Sequence, residues 1–240
     1  MQPSDLNARD CRQERSEEAL EPEAGRMIMR IVQVCVGRPA EVIFKGKTVT
    51  TGIFKSPVDG VVELKSLNLA GDGQADLTVH GGRDKAVYAY SQDHYEYWGK
   101  ELGVDELEDA QFGENLTVTG FSEDEVTIGD RYKIGTAIVT VTQPRLPCFK
   151  LGIRMGDESF PKRFLDSGRM GMYLRVEEEG ALQCGDTFDL IDRPAHGISL
   201  HDLWRTVFRD DGDAQLALEH LPHLDAGWLR RLRHKLAADQ

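Results

Sequence analysis

The chain has 240 residues, of which 40% are hydrophobic and 29% are charged, and its formal net charge is −12. This composition suits a globular protein, and the acidic balance disfavours nonspecific binding to nucleic acid or to an anionic membrane, since phosphate contacts need cations. No apolar run is long enough to span a bilayer and the first residues lack the apolar core of a signal peptide, so we expect a cytoplasmic protein without a membrane partner.

Residues 1–26 form a polar extension with seven acidic residues and four arginines. The segment contains no aromatic and no β-branched residue, so it cannot bury enough apolar area to offset the entropy of ordering. We therefore expect residues 1–26 to be disordered.

Residues 27–193 are predicted to form one mainly β domain with a few helices. Short β-branched or alternating segments are separated by Gly and Pro at close spacing, which favours a barrel or a sandwich over a βαβ sheet. Short helices are expected after Ser91, the candidate cap residue, and over residues 160–165. The predicted strands are 28–36, 41–44, 48–53, 61–69, 87–90, 116–119, 126–128, 132–134, 137–142, 172–176 and 187–191.

Residues 194–240 are predicted to form a small three-helix module, because the apolar period changes from two to about 3.6 residues after Pro194. Ser199 opens a capping box with Asp202, and Asp213 and Asp225 are candidate caps of the next two helices. A unit of this size is small to be stable alone, so we expect it to dock on the β domain.

One loop after the predicted strand 137–142 carries Cys148. Pro144 and Pro147 cannot donate ladder hydrogen bonds, so the chain must leave the sheet there as a stiff loop. Arg145 and Lys150 are close in sequence, and a cysteine among cations favours the thiolate, which is the form that attacks or binds metal. The other interpretation is a small buried apolar residue, and both remain open.

The span 143–175 has seven cations and only three acids within an acidic chain. Such a local excess indicates a focused anion site, although an ordinary salt-bridged surface fits the composition equally well. The seven cations are Arg145, Lys150, Arg154, Lys162, Arg163, Arg169 and Arg175.

The four cysteines, Cys11, Cys35, Cys148 and Cys184, are widely spaced and form no C-x-x-C motif. This spacing is typical of reduced thiols and argues against a zinc ribbon or a disulfide framework.

The segment 71–86 is rich in Gly and Asp and carries His80 before Gly81 and Gly82. Glycine allows backbone to approach a ligand closely, whereas a lone histidine is more often structural than a ligand.

Five motifs occur in order: FKSPV at 54–58, a Gly- and Asp-rich stretch that contains VHGG at 79–82 and DKAV at 84–87, FGENL at 112–116, GD at 129–130 and QPRLPC at 143–148. Together they closely resemble the MOSC domain, the C-terminal domain type of molybdenum-cofactor sulfurases. Within that family the chain looks like the YiiM-like subfamily, whose members carry a C-terminal three-helix module. The resemblance covers about residues 29–238.

This resemblance implies a MOSC-type β-barrel and binding of the molybdenum cofactor, molybdopterin, with Cys148 as the metal ligand. Thiolate is a soft ligand, so one cysteine suffices where the cofactor supplies two dithiolene sulfurs. Candidate cofactor-binding residues are Lys55, Arg145 and Lys150 for the phosphate, Asn115 for the pterin or substrate, and the loop residues Gly81, Gly82 and Arg83. For Asn115, an equally good interpretation is that its side chain only stabilises its own turn. Arg83 departs from the family pattern, because relatives often have Pro at this position.

By resemblance, the expected activity is reduction of N-hydroxylated compounds such as 6-hydroxylaminopurine. His80 is a candidate proton donor for N–O cleavage. The sequence has neither a dinucleotide-binding glycine motif nor an iron–sulfur cysteine cluster, so electrons must come from an external donor protein. A homodimer and pyridoxal phosphate binding are further family-level expectations.

Two other functions remain open. Cys148 with His80, oriented by Asp84, is compatible with a metal-free cysteine hydrolase or transferase. A sulfur-carrier or molybdopterin-handling module would instead hold a persulfide on Cys148 or pass on the cofactor. Metal content separates the first alternative from the reductase, and turnover of an N-hydroxylated substrate separates the second.

Overall fold

The computed structural model describes residues 28–75, 81–209 and 211–238. The predicted disorder of residues 1–26 and the predicted roles of His80 lie outside these residues. Within the described chain, the secondary structure consists of twelve β-strands, six α-helices and one 3-10 turn at Arg83–Lys85.

The strands are β1 (Arg30–Val36), β2 (Ala40–Phe44), β3 (Lys47–Thr51), β4 (Ser56–Pro57), β5 (Val62–Leu64), β6 (Val87–Ser91), β7 (Leu116–Thr119), β8 (Arg131–Ile134), β9 (Ala137–Pro144), β10 (Met172–Glu178), β11 (Gly180–Leu182) and β12 (Asp189–Asp192). The helices are α1 (Asp93–Leu102), α2 (Phe149–Met155), α3 (Phe160–Ser167), α4 (Leu200–Phe208), α5 (Ala214–His220) and α6 (Ala226–Ala238).

Eight strands form one sheet in the order β12-β8-β9-β10-β6-β7-β1-β4. Neighbouring strands are antiparallel except for β6 and β7, which run parallel. The sheet curls until the segment before β12 reaches β1, where the Ile31 N–H donates to Asp186 O at 2.9 Å and the Phe188 N–H to Met29 O at 2.9 Å. The result is a half-barrel with added helices, which confirms the predicted mainly β, α+β fold.

An aromatic cluster fills the space between the sheet and the helices α1 and α3. Trp98 and Phe164 stack with ring centroids 6.0 Å apart, and Phe112 and Phe160 pack against both. All four side chains are fully buried. Burial of such large apolar side chains is the main favourable contribution to folding, so this cluster anchors both helices to the half-barrel.

The hairpin β2–β3 shows how local sequence sets a turn. Lys45 and Gly46 both have positive φ, 51° and 73°, as a two-residue type I′ turn requires. The turn pairs Phe44 with Lys47 and fixes the register back to Ala40. The hairpin predicted from the sequence is therefore confirmed.

Several predicted elements differ in the structure. The strand expected at 61–69 is reduced to β5, because the chain turns back at 66–68 and Leu69 bridges to Leu64. Residues 126–128 form only an isolated bridge, between Thr127 and Ser199. Ser91 ends β6 and donates to Phe121 O, so it does not cap α1, whose first flanking residue is Gln92. Helix α2, which starts directly after Cys148, was not predicted.

The three predicted C-terminal helices are confirmed, including their caps. The Ser199 side chain and Asp202 form a reciprocal capping box, and Asp213 accepts from Leu216 N at 2.9 Å. These helices pack on the half-barrel, where Trp204 Nε1 donates to Leu165 O at 2.8 Å. No helix in the described chain combines the length and apolar character needed to cross a membrane.

The expectation of four reduced thiols is wrong at Cys184, which is disulfide-bonded. Cys35 and Cys148 carry thiols, and Cys11 lies outside the described residues. Cys35 is fully buried on β1, whereas Cys148 is partly exposed, so Cys148 is the thiol that a ligand can reach.

Candidate functional site

Cys148 opens onto a cavity of about 110 Å³ at one end of the curled sheet. The cavity is lined by the ends of β3, β9 and β10 and by the loops that precede β6 and β7. It contains five residues that the sequence predicted as site residues from three separate segments: Lys55, Asn115, Arg145, Cys148 and Lys150. The fold therefore brings most of the predicted site residues to one place.

Pro144 ends β9 and, together with Pro147, directs the chain out of the sheet to Cys148. Cys148 has extended backbone angles, φ −132° and ψ 177°, and is the residue that flanks the first turn of α2. Its thiol therefore lies close to the helix start, where positive partial charge favours a thiolate.

Arg145 forms the floor of the cavity and is 7% exposed. Its guanidinium lies 4.6 Å from the centroid of the Tyr88 ring and donates to the backbone oxygen of Phe112. Burial acts to lower the pKa of Arg145, but the neighbouring Tyr88, Tyr173 and Cys148 raise it above its usual value, so the group stays charged. Among the described residues, no carboxylate oxygen lies within 4 Å of this guanidinium.

Lys150 is the second cation of the cavity, on the first turn of α2. Its ammonium likewise has no carboxylate within 4 Å in the described part of the chain. Four of the other five cations in the span 143–175 form ion pairs, and the fifth, Arg169, lies 3.8 Å from the centroid of the Tyr97 ring. The basic span is thus largely an ordinary salt-bridged surface that leaves two cations for the cavity.

Lys55 lies on the opposite wall and is bonded to Asp72, with both side chains under 10% exposed. The second Asp72 oxygen accepts from Asn115 Nδ2 at 2.9 Å, and Asn115 Oδ1 accepts from the Tyr88 N–H at 3.1 Å. Asn115 Nδ2 also donates to the Cys35 backbone oxygen at 3.2 Å. Both polar ends of Asn115 are therefore used within the protein, in line with the interpretation that it holds its own turn.

Lys85 and Tyr173 complete the wall next to Cys148. The Lys85 ammonium is 2.8 Å from an Asp225 oxygen and 5.9 Å from the centroid of the Tyr173 ring. Burial raises the pKa of Tyr173, although the positive charges of Arg145 and Lys85 partly oppose the shift. Burial likewise raises the pKa of Tyr88. Both phenols are therefore protonated at neutral pH, and the Tyr88 hydroxyl already donates to Met170 O at 2.9 Å.

The predicted loop residues stand apart from the described cavity lining. Gly82 has φ 92°, a conformation that suits glycine, and its N–H donates to Gln74 Oε1 at 2.7 Å. Gln74 lines the cavity, so it links the loop to the site. Gly81 is partly buried and Arg83 is exposed. The roles of Gly81, Gly82 and Arg83 toward a cofactor remain predictions.

A larger cavity of about 680 Å³ lies between α1 and the strands β1 and β7. Its described lining holds no cysteine or histidine, and its polar groups are mainly carboxylates and amides. The Cys148 cavity is smaller but unites a thiol, two cations without carboxylate partners and protonated phenols. Reactive groups in one concave place mark a functional site better than volume does.

The residues of the Cys148 cavity fit the molybdenum cofactor in kind. The described chain has no cluster of three or more His, Cys, Asp or Glu that could hold a metal ion, so Cys148 suits a metal whose other ligands arrive with a cofactor. Arg145 and Lys150 suit a phosphate. The volume is below the about 300–1,000 Å³ of typical small-molecule sites, so a ligand of cofactor size needs the rim to open.

These features define the class of protein as a curled β half-barrel with a thiol in an anion-binding pocket. The family model described as MOSC domain matches residues 76–189. Protein YiiM of Escherichia coli is 34% identical over 167 residues, which cover 67% of this chain and 74% of that protein. The crystal structure of YiiM from Geobacillus stearothermophilus superposes with a TM-score of 0.70 at 31% identity, over 87% of this chain and 99% of that chain. The protein belongs to the MOSC family, in its YiiM-like branch.

A protein named Reductase from Gibberella moniliformis is 36% identical over 180 residues. The match covers 74% of this chain but 32% of that protein, so this chain corresponds to about a third of it. MOSC domains are associated with the molybdenum cofactor. The name of the Gibberella moniliformis protein is that of an oxidoreductase. At the family level, the comparisons thus support a molybdenum-cofactor-associated function.

Four residues of the site were not predicted as site residues from the sequence: Asp72, Lys85, Tyr173 and Asp225. Asp72 and Lys85 lie within motifs that the resemblance quoted, yet their pairing partners are set by the fold. Asp225 was predicted only as a helix cap, and no local signal indicated that it pairs with Lys85 of the cavity lining. Tyr173 lies in a strand pattern that gave no sign of which face it occupies.

Proposed function

We propose that this protein is a molybdenum-cofactor-dependent reductase of small N-hydroxylated compounds, with 6-hydroxylaminopurine as a representative substrate. One observation carries the proposal. In a MOSC-family chain, Cys148 shares a cavity with Arg145 and Lys150, two cations without a carboxylate within 4 Å among the described residues. A soft ligand beside an anion site is what a phosphate-bearing metal cofactor requires.

Each residue has one role in this proposal. Cys148 is the protein ligand of the metal, and Arg145 and Lys150 hold the cofactor phosphate. Lys55 is held by Asp72 and contributes a hydrogen-bond donor at the opposite wall. Tyr173, protonated at neutral pH, donates a hydrogen bond to a bound oxygen or anion. His80 remains the proposed proton donor.

When bound, the cofactor supplies the two-electron chemistry. The overall reaction converts R–NHOH, two electrons and two protons into R–NH₂ and water, with cleavage of the N–O bond. The electrons come from a separate redox protein, since the sequence carries no motif for a nicotinamide cofactor or an iron–sulfur cluster. The relative named Reductase supports the reductase over the hydrolase or the cofactor-handling module. No residue arrangement specifically favours pyridoxal phosphate, which we do not propose.

Metal analysis of protein from a host that makes the cofactor tests the proposal. We expect near-stoichiometric molybdenum in the wild-type protein and its loss in Cys148→Ala. Cys35→Ala is the matched control because it removes a free thiol that does not line the cavity, and it should retain metal. The loaded protein should reduce 6-hydroxylaminopurine with a chemically reduced viologen dye as the donor.

The outcomes separate the alternatives. No molybdenum in wild-type protein, from a host that loads other molybdoenzymes, refutes the proposal and leaves metal-free thiol chemistry. Molybdenum that depends on Cys148 but supports no reduction of N-hydroxylated substrates points to the cofactor-handling module instead.

A further inference from the structure

The segment before the last C-terminal helix contributes a charged residue that pairs with Lys85, a residue of the Cys148 cavity lining. Asp225, which precedes α6, has one oxygen 2.8 Å from the Lys85 ammonium and 2.9 Å from Gln143 Nε2. The other oxygen accepts from the Trp228 N–H at 3.0 Å and caps the helix. The carboxylate therefore joins α6 to Lys85 of the cavity lining and to Gln143 of β9.

The position of Asp225 is fixed from several directions. Its own N–H donates to Gln143 Oε1 at 2.9 Å, so the Asp225–Gln143 contact is reciprocal. Trp228 Nε1 donates to Pro144 O at 3.0 Å, immediately before Arg145. The pKa of Asp225 is lowered, because burial acts to raise it but the bonds from Lys85, Trp228 and Gln143 outweigh that effect. Asp225 is thus a fixed negative charge.

The described lining of the cavity contains four cations, and two of them are paired with a carboxylate. Asp72 neutralises Lys55, and Asp225 neutralises Lys85. Arg145 and Lys150 remain as lining cations without a carboxylate within 4 Å among the described residues. An uncompensated Lys85 would add a third such cation, so the Asp225 carboxylate limits how strongly the described lining attracts anions.

We propose that Asp225 is a specificity-determining residue of the Cys148 cavity, because its carboxylate offsets Lys85 and limits how strongly the cavity attracts anionic ligands over neutral ones. The inference rests on the proposed function only because it concerns the same cavity, and the pair between Asp225 and Lys85 is present whether or not a metal binds. It assigns the C-terminal helices a role in the site beyond packing.

The charge of Asp225 can be removed without removing the cap. Asn is as good an N-cap residue as Asp, so Asp225→Asn keeps an oxygen for Trp228 while it deletes the negative charge. Lys85→Met deletes the opposite charge, and the double variant deletes both. Asp213→Asn is the matched control, because Asp213 caps α5 in the same module and its side chain accepts only from the Leu216 N–H among the described residues.

The experiment compares alkylation of Cys148 by iodoacetate, an anion, and by iodoacetamide, which is neutral. Both reagents consume the same thiolate, so the ratio of their rates reports the local potential independently of the fraction of thiolate. Mass spectrometry of the peptide that contains Cys148 distinguishes it from the other cysteines. The full-length, metal-free protein is used, so the result does not depend on molybdenum.

We expect Asp225→Asn to raise the iodoacetate-to-iodoacetamide ratio about twofold to fivefold, for a unit charge acting at several ångströms near a surface. Lys85→Met should lower the ratio by a similar factor, and the double variant should return close to wild type. About 1 M salt should reduce these differences. Asp213→Asn should change nothing.

An unchanged ratio in folded Asp225→Asn, or an equal change in Asp213→Asn, would overturn the inference and leave Asp225 as a helix cap. If Asp225→Asn does not fold, Lys85→Met decides the question, and a ratio that does not fall refutes the inference. If Asp225→Asn shifts the ratio but the wild-type protein binds no molybdenum in a host that makes the cofactor, the proposed function is refuted and the inference about Asp225 stands.

Discussion

Each of the two walls of the Cys148 cavity contains a buried cation, but only one of these cations is paired with a carboxylate. On one wall Lys55 is bonded to Asp72, which is itself held by Asn115 and by the Gly37 N–H at 2.9 Å. On the other wall Arg145 is equally buried, and its guanidinium contacts the Phe112 backbone oxygen and the Tyr88 ring, whereas the buried Glu114 carboxyl interacts with it only from beyond 4 Å. A buried charge without a counterion in direct contact is costly, and a protein retains one mainly where a ligand supplies the opposite charge.

This difference separates a cation that is paired with a carboxylate from a cation that has none within 4 Å among the described residues. The Lys55 wall should contribute to stability, because its cation already has a counterion within the protein. The Arg145 wall should contribute to anion binding, because a bound anion would supply the counterion that its cation lacks in direct contact. Substitutions on the two walls should therefore have separable effects on stability and affinity.

The largest expected effect is on the Lys55 wall. Asp72→Asn leaves the Lys55 ammonium buried beside a neutral group, and breaking a buried pair in this way typically costs about 3–5 kcal/mol. Chemical denaturation should show this loss in the free energy of unfolding. Asp166→Asn, which breaks the exposed pair with Lys162, is the control and should cost less than about 1 kcal/mol. Equal losses in both variants would mean that the wall is not a structural unit.

Arg145→Met tests the other wall. We expect the affinity for inorganic phosphate to fall about 10- to 100-fold, because a charge-assisted hydrogen bond contributes roughly 1.5–3 kcal/mol. Stability should change by no more than about 2 kcal/mol, because the lost bond to Phe112 is offset by removal of a buried charge.

NMR titration with phosphate and chemical denaturation measure the two quantities on the same sample. Arg131→Met is the control, since Arg131 lies on the same sheet but pairs with Glu177 at 3.1 Å. A large loss of stability with unchanged phosphate affinity would make Arg145 a structural residue and remove the contrast between the walls.

The smallest expected effect is at Lys150, which is only partly buried. Lys150→Gln should weaken phosphate binding about twofold to fivefold, since interactions of partly solvated charges contribute up to about 1 kcal/mol. The difference should shrink at high salt, which screens exposed charges. Lys162→Gln removes an exposed lysine from α3 and should leave the phosphate titration unchanged. A Lys150 effect as large as that of Arg145 would contradict the idea that burial sets their order.

Local chemistry made much of this protein predictable from its sequence. Alternation predicted most strands of the half-barrel, and Ser199, Asp213 and Asp225 were predicted as caps because a cap acts within three residues. The two prolines around Cys148 predicted its loop. The motifs quoted for the family resemblance placed Lys55, Asn115 and Arg145 among the candidates, and the fold brings them to the same cavity as Cys148.

The remaining parts of the site depend on long-range packing. The partners Gln143 and Asp225 are 82 residues apart, and their contact exists only because α6 docks beside the end of β9. Lys85 acquires its counterion from the same docking. No local pattern encodes such pairs. Helix α2 was not predicted because it has only seven residues, about two turns, which is too few for a helical pattern of apolar residues to be distinguished from a loop.

The parallel pairing of β6 with β7 has a consequence for the order in which the cavity can form. Parallel neighbours need a long crossover, which here contains α1, before β7 can reach its place. The Asn115 N–H then donates to Tyr88 O at 2.8 Å, and its backbone oxygen accepts from the Cys35 N–H at 2.7 Å, so this corner ties β1, β6 and β7 together. A chain whose sheet is incomplete has no cavity, so a ligand that binds there recognises and stabilises only fully assembled molecules.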